Sequence, residues 1–288
     1  MCIRDSTGTV GRLIAVVLFL ALMVPAVLLV RAWLHAAPRR AVAAAAVQFV
    51  ELTPAAGAEL TRQAAHGRRL RQLGLVLGVA AIVTTVVLFA ESSVFLWVPA
   101  LGAGLLAGVL LAEASRPRPR WAFGRPFRRP RRSDQISLAL LWTMRGAMVG
   151  QLVAALVLAG VGDLDGGVAA ASVVVPAAGW LLAEVALLRA LVRPLPADGA
   201  DVPVDEAQRT WTAHLVVGAA SVLALLPLGV LLLVAGIDLG DEVTRDGAGL
   251  LPVALVAGGF AALAAGLAVT GFLLTWLRPV RQGVTALA

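Results

Sequence analysis

The sequence predicts an all-α fold, a polytopic membrane helix bundle with about seven transmembrane helices. The chain is 60% hydrophobic and only 14% charged, which lies outside the range of soluble domains. Its apolar stretches are near the roughly 20 residues that a helix needs to cross a hydrocarbon core. They are continuously apolar rather than alternating, which favours helices over a β-barrel. The predicted spans are Val10–Leu34, Leu73–Ala90, Val94–Ala112, Leu138–Val161, Val168–Leu191, Thr212–Gly236 and Leu250–Leu277.

The gaps between the spans predict the orientation of the bundle. All 24 basic residues are arginine, and arginine-rich gaps alternate with short acidic ones. Because cytoplasmic loops carry the basic excess, the loops 35–72, 113–137 and 192–211 are predicted to be cytoplasmic. The C-terminus is then inside and the present N-terminus outside. We expect residues 7–288 to form one transmembrane domain in a bacterial cytoplasmic membrane.

The first six residues, Met1 to Ser6, resemble a translated sequencing adapter, so we expect them to be foreign to the fold. The single cysteine, Cys2, falls within them, so we expect neither disulfides nor thiol chemistry. This interpretation leaves open whether a transmembrane helix precedes residue 7.

Three polar segments predict how the chain enters and leaves its spans. Thr53-Pro54 is typical of a helix start and predicts a surface helix within the first loop. Ser133-Asp134 predicts a cap for an interfacial beginning of the fourth helix. The prolines between Arg193 and Arg209 predict an extended segment.

An internal repeat is predicted from the ends of the helical hairpins. Each outward-and-back pair ends in Arg-Pro, at Arg116-Pro117, Arg193-Pro194 and Arg278-Pro279. Each returning helix also carries a proline in its outer half, at Pro99, Pro176 and Pro252. We therefore expect three parallel-repeat hairpins plus one N-terminal span, although such short matches arise easily in this composition.

Four ionisable residues lie within or just beside the predicted spans; these are Arg71, Glu113, Arg145 and Glu184. Counting from the outer turns places one arginine and one glutamate at the same level in each of two hairpins. Charge buried in a bilayer often marks a proton- or ion-coupling site. Their depth near the inner interface instead favours ion pairs that pin neighbouring helices. We expect Arg145 and Glu184 to lie within salt-bridge distance.

The second cytoplasmic loop combines arginines with aromatic side chains, a composition that suits an anionic bilayer surface. A simple topology anchor is the alternative, and tethering to the membrane makes nucleic acid a poor partner. The candidate lipid contacts are Arg116, Arg118, Arg120, Trp121, Arg125, Arg128, Arg129, Arg131 and Arg132.

Small residues recur at four-residue spacing in Gly104-x-x-x-Gly108 and in Gly258-x-x-x-Ala262-x-x-x-Gly266. This spacing permits close helix approach, either in the core or between copies of the chain. The sequence offers no catalytic, metal or cofactor motif: its histidines are scattered, and a phosphate-binding loop would need a lysine. We expect a protein that is not an enzyme and carries no cofactor.

The segment Glu113-Ala114-Ser115-Arg116-Pro117-Arg118-Pro119, with the arginine-rich and alanine-rich paired spans, resembles uncharacterised multi-pass membrane proteins of GC-rich, actinobacterial-type bacteria. That resemblance implies no particular activity. Two function classes remain: a non-catalytic membrane scaffold or accessory component, and a small permease or channel. Gln151, near the middle of the fourth helix, and the hairpin repeat favour the second. Expected partners are the lipid bilayer, a membrane protein or a second copy of the chain.

Overall fold

The computed structural model describes residues 54–89, 94–118, 120, 136–161, 166–193, 195–196, 199, 202–243 and 250–276. These residues form six helices and no β-strand. In chain order the helices are α1 (Pro54–Phe89), α2 (Val94–Ala114), α3 (Leu138–Val161), α4 (Gly166–Val192), α5 (Val202–Val243) and α6 (Leu250–Trp276). The predicted span Val10–Leu34 lies outside the described residues.

Four of these helices, α3 to α6, are long and apolar enough to cross a membrane. The candidate spans are Leu138–Gly160, Ala170–Val192, Asp205–Leu239 and Leu250–Leu273. The coarse prediction of a helical, membrane-type bundle is therefore confirmed in the described part of the chain.

Two helices reach further into the polar segments than hydropathy predicts. α1 begins at Pro54, as the Thr53-Pro54 signal indicates, and continues unbroken to Phe89. α5 begins at Val202 and has 42 residues, so the expectation of an extended segment up to Arg209 was wrong. Pro203 lies in the first turn, where no backbone donor is needed, and Asp205 favours the positive end of the helix dipole.

The start of α3 is capped by a serine other than the predicted one. The Oγ of Ser137 accepts a hydrogen bond from the Leu140 amide at 3.3 Å, and the helix begins at Leu138. A serine hydroxyl in this position satisfies one of the four free amides of a helix start. The predicted cap at Ser133-Asp134 lies outside the described residues.

α5 is the central helix of the described bundle and packs against α2, α3, α4 and α6. Its stretch from Leu215 to Leu225 is buried along its whole length. Large side chains from three helices meet there with almost no exposed surface; these are Leu110, Met144, Met148, Val216 and Val217. This apolar core lies between the helices, whereas the outer faces of α3, α4 and α6 expose valine and leucine.

α1 and α2 touch backbone to backbone through four glycines, Gly74 and Gly78 on α1 and Gly104 and Gly108 on α2. A Cβ atom placed on Gly74 would lie 2.5 Å from the Gly104 carbonyl oxygen. On α6, a Cβ atom on Gly266 would lie 2.6 Å from the Leu226 side chain of α5. The predicted small-residue faces are thus used for packing within the chain.

Candidate functional site

The charged residues of the bundle gather at the end where α2 and α4 finish and α3 and α5 begin, called here the basic end. The pair Arg145 and Glu184 lies nearest to the middle of the helices. Nη2 of Arg145 lies 2.6 Å from Oε1 of Glu184, and its Nε donates to the same oxygen at 2.9 Å. The Arg145 guanidinium also lies 5.7 Å from the Trp142 ring centroid. The contact expected between these two residues is present, and it joins α3 to α4.

The second expected pair, Arg71 and Glu113, is also brought together, but Glu113 lies closer to Arg116 than to Arg71. Nη2 of Arg71 lies 3.7 Å from Oε1 of Glu113, whereas Nη2 of Arg116 lies 2.6 Å from the other carboxylate oxygen. Nη1 of Arg116 donates to Oγ1 of Thr212 at 3.0 Å. Glu113 therefore sits between two guanidiniums, and Arg116 links the end of α2 to α5.

A third cluster, formed around the fully buried Asp205, was not predicted. Asp205 has no exposed side-chain surface and lies 2.6 Å from both Arg193 and Arg209. The pKa of Arg193 is lowered to about 10, chiefly by burial. The negative charge of Asp205 raises this pKa, whereas the positive charges of Arg116 and Arg209 lower it further. The guanidinium still keeps its charge at neutral pH. Two buried positive charges thus share one buried carboxylate, an arrangement that is costly unless every donor is satisfied.

Arg209 of this cluster and the nearby Arg189 donate to carbonyl groups that the helix ends leave free. Arg209 donates to the Ala190 oxygen at 2.6 Å and to the Arg193 oxygen at 2.7 Å, at the end of α4. Arg189 donates to the Ala114 oxygen at the end of α2. Guanidinium groups at helix C-termini complement both the unpaired carbonyls and the negative end of the dipole.

A chain of polar contacts carries the network across to α1. The Gln208 amide donates to Gln63 at 2.7 Å, and Gln63 donates to Glu59 at 2.6 Å. Glu59 also accepts from Arg62 at 2.7 Å and from the Arg120 amide at 3.3 Å. Burial raises the pKa of Glu59, but these hydrogen bonds outweigh it, so the pKa lies below its usual value.

The candidate lipid-contact residues divide into three groups. Arg116 points into the protein, where it binds Glu113 and Thr212. Arg118 and Arg120 are exposed, and their backbone groups bind Arg62 and Glu59. The others, Trp121, Arg125, Arg128, Arg129, Arg131 and Arg132, lie outside the described residues.

The cluster of Asp205, Arg193 and Arg209 and the polar link to α1 were not identified from the sequence. Two spacings carried the signal: Asp205 and Arg209 are four residues apart, and Glu59 and Arg62 are three apart, so each pair shares a helix face. Both pairs lie between the predicted spans, in segments whose tertiary contacts hydropathy does not predict.

The middle of the bundle contains one buried polar side chain from α3. Gln151 has no exposed surface, and its Nε2 donates to the Ser172 carbonyl at 3.4 Å. Its Oε1 is buried without a hydrogen-bond partner among the described residues. Near Arg209, a small pocket is otherwise apolar, lined by Ile136, Leu141, Leu187, Ala190, Leu191 and Ala213.

Within the described ranges, no group of three or more histidine, cysteine, aspartate or glutamate residues is arranged to hold a metal ion. Comparison with protein-family models, curated proteins and solved structures finds no match for this chain. The fold itself therefore defines the class, an all-helical bundle of membrane type with a buried charge network at one end.

Proposed function

We propose that this protein is a non-catalytic membrane scaffold or accessory component. The observation that carries the proposal is how the charges are used: the carboxylates Glu113, Glu184 and Asp205 each pair with arginine. Ion pairs of this kind join neighbouring helices, as the Arg145–Glu184 pair joins α3 to α4, and such links suit a rigid support. The apolar packing between α2, α3 and α5 also favours a rigid support over a pathway.

The proposal includes a finer architecture of seven spans, built as three parallel hairpins and one N-terminal span. The Arg-Pro ends of the hairpins support it, as does the glycine-mediated packing of both α1 against α2 and α5 against α6. The basic end is cytoplasmic in this proposal, since positive charge is retained on that side of bacterial membranes. Exposed arginines such as Arg118 and Arg120 would then contact anionic headgroups.

Reconstitution tests the scaffold against a transporter. The purified chain is placed in liposomes with an imposed pH or salt gradient, and proton and ion flux are followed with enclosed dyes. A scaffold gives the leak rate of protein-free liposomes. Flux that rises with the protein content and is lost in Gln151→Leu would overturn the proposal.

A small permease or channel is the second candidate, and the central polar groups favour it. Besides the Gln151 oxygen, the Trp180 Nε1 is buried without a partner among the described residues. Buried polar groups without partners are sites where water enters a bundle. If water passes there, Gln151→Leu slows flux, whereas Ser221→Ala, which removes a buried hydroxyl already bonded to its own helix, leaves flux unchanged.

A further inference from the structure

The Arg145–Glu184 pair lies on the outer face formed by α3 and α4, and it is not fully enclosed. The Arg145 side chain is 25% exposed and the Glu184 side chain 27%. Large apolar side chains surround it on this face: Trp142 is 63% exposed, Leu181 68% and Leu188 53%. In the part of the chain that the structure describes, this ion pair therefore faces outward from an apolar surface.

Such a position is unfavourable beside lipid chains. Arg145 is seven residues from the start of α3, about 10 Å along the helix, and within the candidate span Leu138–Gly160. Charged groups in membrane spans face the protein interior or pair with one another because hydrocarbon cannot solvate them. A second polar surface could solvate this pair if it placed a negative group beside Arg145 and a positive group beside Glu184.

The pair has a geometry that a second copy of the chain matches. Its positive group is on α3 and its negative group is on α4, at one level across antiparallel helices. Two copies inserted in the same direction are related by a two-fold axis along the membrane normal. That rotation puts α3 of each copy opposite α4 of the other, at equal depth, so each arginine meets a glutamate.

We propose that the protein forms a two-fold dimer through the α3–α4 face, in which the two Arg145–Glu184 pairs join into a ring of four alternating charges. Gly146 lies beside the pair on this face, and a Cβ atom there would meet nothing within 4 Å, which leaves room for close approach. An anionic lipid fits less well, because the pair has no net charge to attract it. This dimer rests on the proposed scaffold function and specifies its partner.

Exchanging the two charges tests the interface without breaking the contact within each chain. The double variant Arg145→Glu/Glu184→Arg keeps an ion pair between α3 and α4, and it can still form the four-charge ring with itself. Next to the wild type, however, arginine meets arginine and glutamate meets glutamate. We expect each form to dimerise with its own kind, with mixed pairs at least about tenfold below random mixing.

The measurement uses wild type and double variant labelled with different fluorophores, combined in vesicles, with energy transfer read for each combination. A monomer at all protein-to-lipid ratios overturns the proposal, and so do dimers that mix at random, which a lipid-bound or purely structural pair would give. Gradient-driven flux tests the scaffold function separately, so the two proposals fail on different readouts.

A second measurement tests the same dimer without the double variant, and so applies even if that variant does not fold. In a Cys2→Ser background, Leu181→Cys places a thiol one turn from Glu184, and Leu267→Cys places one on α6 with similar exposure, 68% against 64%. A flexible bis-maleimide should link Leu181→Cys into dimers in membranes and leave Leu267→Cys monomeric. Equal linking at both positions, or linking only at Leu267→Cys, would refute the α3–α4 dimer.

Discussion

At the scale of single residues, the arginines of the basic end each have several roles. Arg209 binds a carboxylate and two backbone carbonyls at once, and Arg116 binds Glu113 and Thr212. A guanidinium has five donors in a planar fork, so it can satisfy such divergent acceptors where a lysine could not. This is a structural reason why arginine suits these positions.

The buried carboxylate of Asp205 makes the sharpest residue-scale prediction. In Asp205→Ala, Arg193 and Arg209 lose the charge that they share, and we expect unfolding to become easier by about 3–5 kcal/mol. The measurement is denaturant unfolding in mixed micelles. Glu206→Ala removes the adjacent but exposed carboxylate and should change stability little; an equal loss in both variants would contradict this account.

The lowered pKa of Glu59 predicts that the stability of the fold depends on pH. Its pKa is lower in the folded chain, because the hydrogen bonds from Arg62, Gln63 and the Arg120 amide outweigh burial. The contribution of Glu59 to the stability of the fold is therefore present above the ordinary glutamate pKa, about 4.3. It is lost as the pH falls through the lower pKa of the folded chain.

The corresponding variant is Glu59→Gln, which cannot ionise. We expect it to lose about 1.5–3 kcal/mol near neutral pH, the usual value of hydrogen bonds to a charged group, and to lose less stability on acidification than the wild type. Unfolding curves between neutral pH and pH values below 4 give both quantities. Parallel pH curves for the variant and the wild type would show that Glu59 is not the titrating group.

At the scale of elements, the glycines of α1 and α2 determine how closely the two helices approach. Gly104 and Gly102 lie on the same helix and make a matched pair. A Cβ atom on Gly104 would lie 2.5 Å from the Gly78 backbone, whereas one on Gly102 would meet nothing within 4 Å.

We expect Gly104→Ala to destabilise the chain by about 1–3 kcal/mol, because the helices must separate to accept the methyl group. Gly102→Ala should be neutral or stabilising by up to about 1 kcal/mol, through helix propensity alone. Thermal unfolding in detergent compares the two. Equal effects would mean that the contact between α1 and α2 is looser than the glycine spacing indicates.

The sequence predicted the helices that hydropathy alone can define. The beginnings of α2, α3 and α6 fall at the predicted residues, Val94, Leu138 and Leu250. The start of α1 at Pro54 agrees with the predicted surface helix, whereas the polar start of α5 was predicted to be extended. The charges of both segments are satisfied across the fold and not by their own helix alone. Such contacts depend on tertiary packing, so no pattern along the chain reveals them fully.

At the scale of the whole molecule, the contacts of the candidate site could also be predicted from sequence only in part. Equal depth along antiparallel helices was enough to predict that Arg145 contacts Glu184 and that Arg71 approaches Glu113. The link from Gln208 to Gln63 joins residues 145 positions apart and has no counterpart in any local spacing. The network could therefore be predicted pair by pair within hairpins, but not between them.

The orientation of the bundle predicts a labelling pattern. In a Cys2→Ser background, Arg118→Cys is exposed at the basic end, and Asp238→Cys is exposed near the opposite end of α5. With the basic end in the cytoplasm, a membrane-impermeant maleimide should label Asp238→Cys in intact cells and Arg118→Cys only after permeabilisation. The reverse pattern would invert the topology.

The length of α5 has a mechanical consequence. Its 42 residues span about 63 Å, roughly twice the thickness of a hydrocarbon core. An α5 that stood upright would therefore extend beyond the hydrocarbon core, with its first turns held by the Asp205 cluster. Pro227 removes one backbone hydrogen bond within it and is the point at which the rod can bend. A displacement at one end of α5 is thus transmitted along one continuous helix, and Pro227 determines where that helix can bend instead.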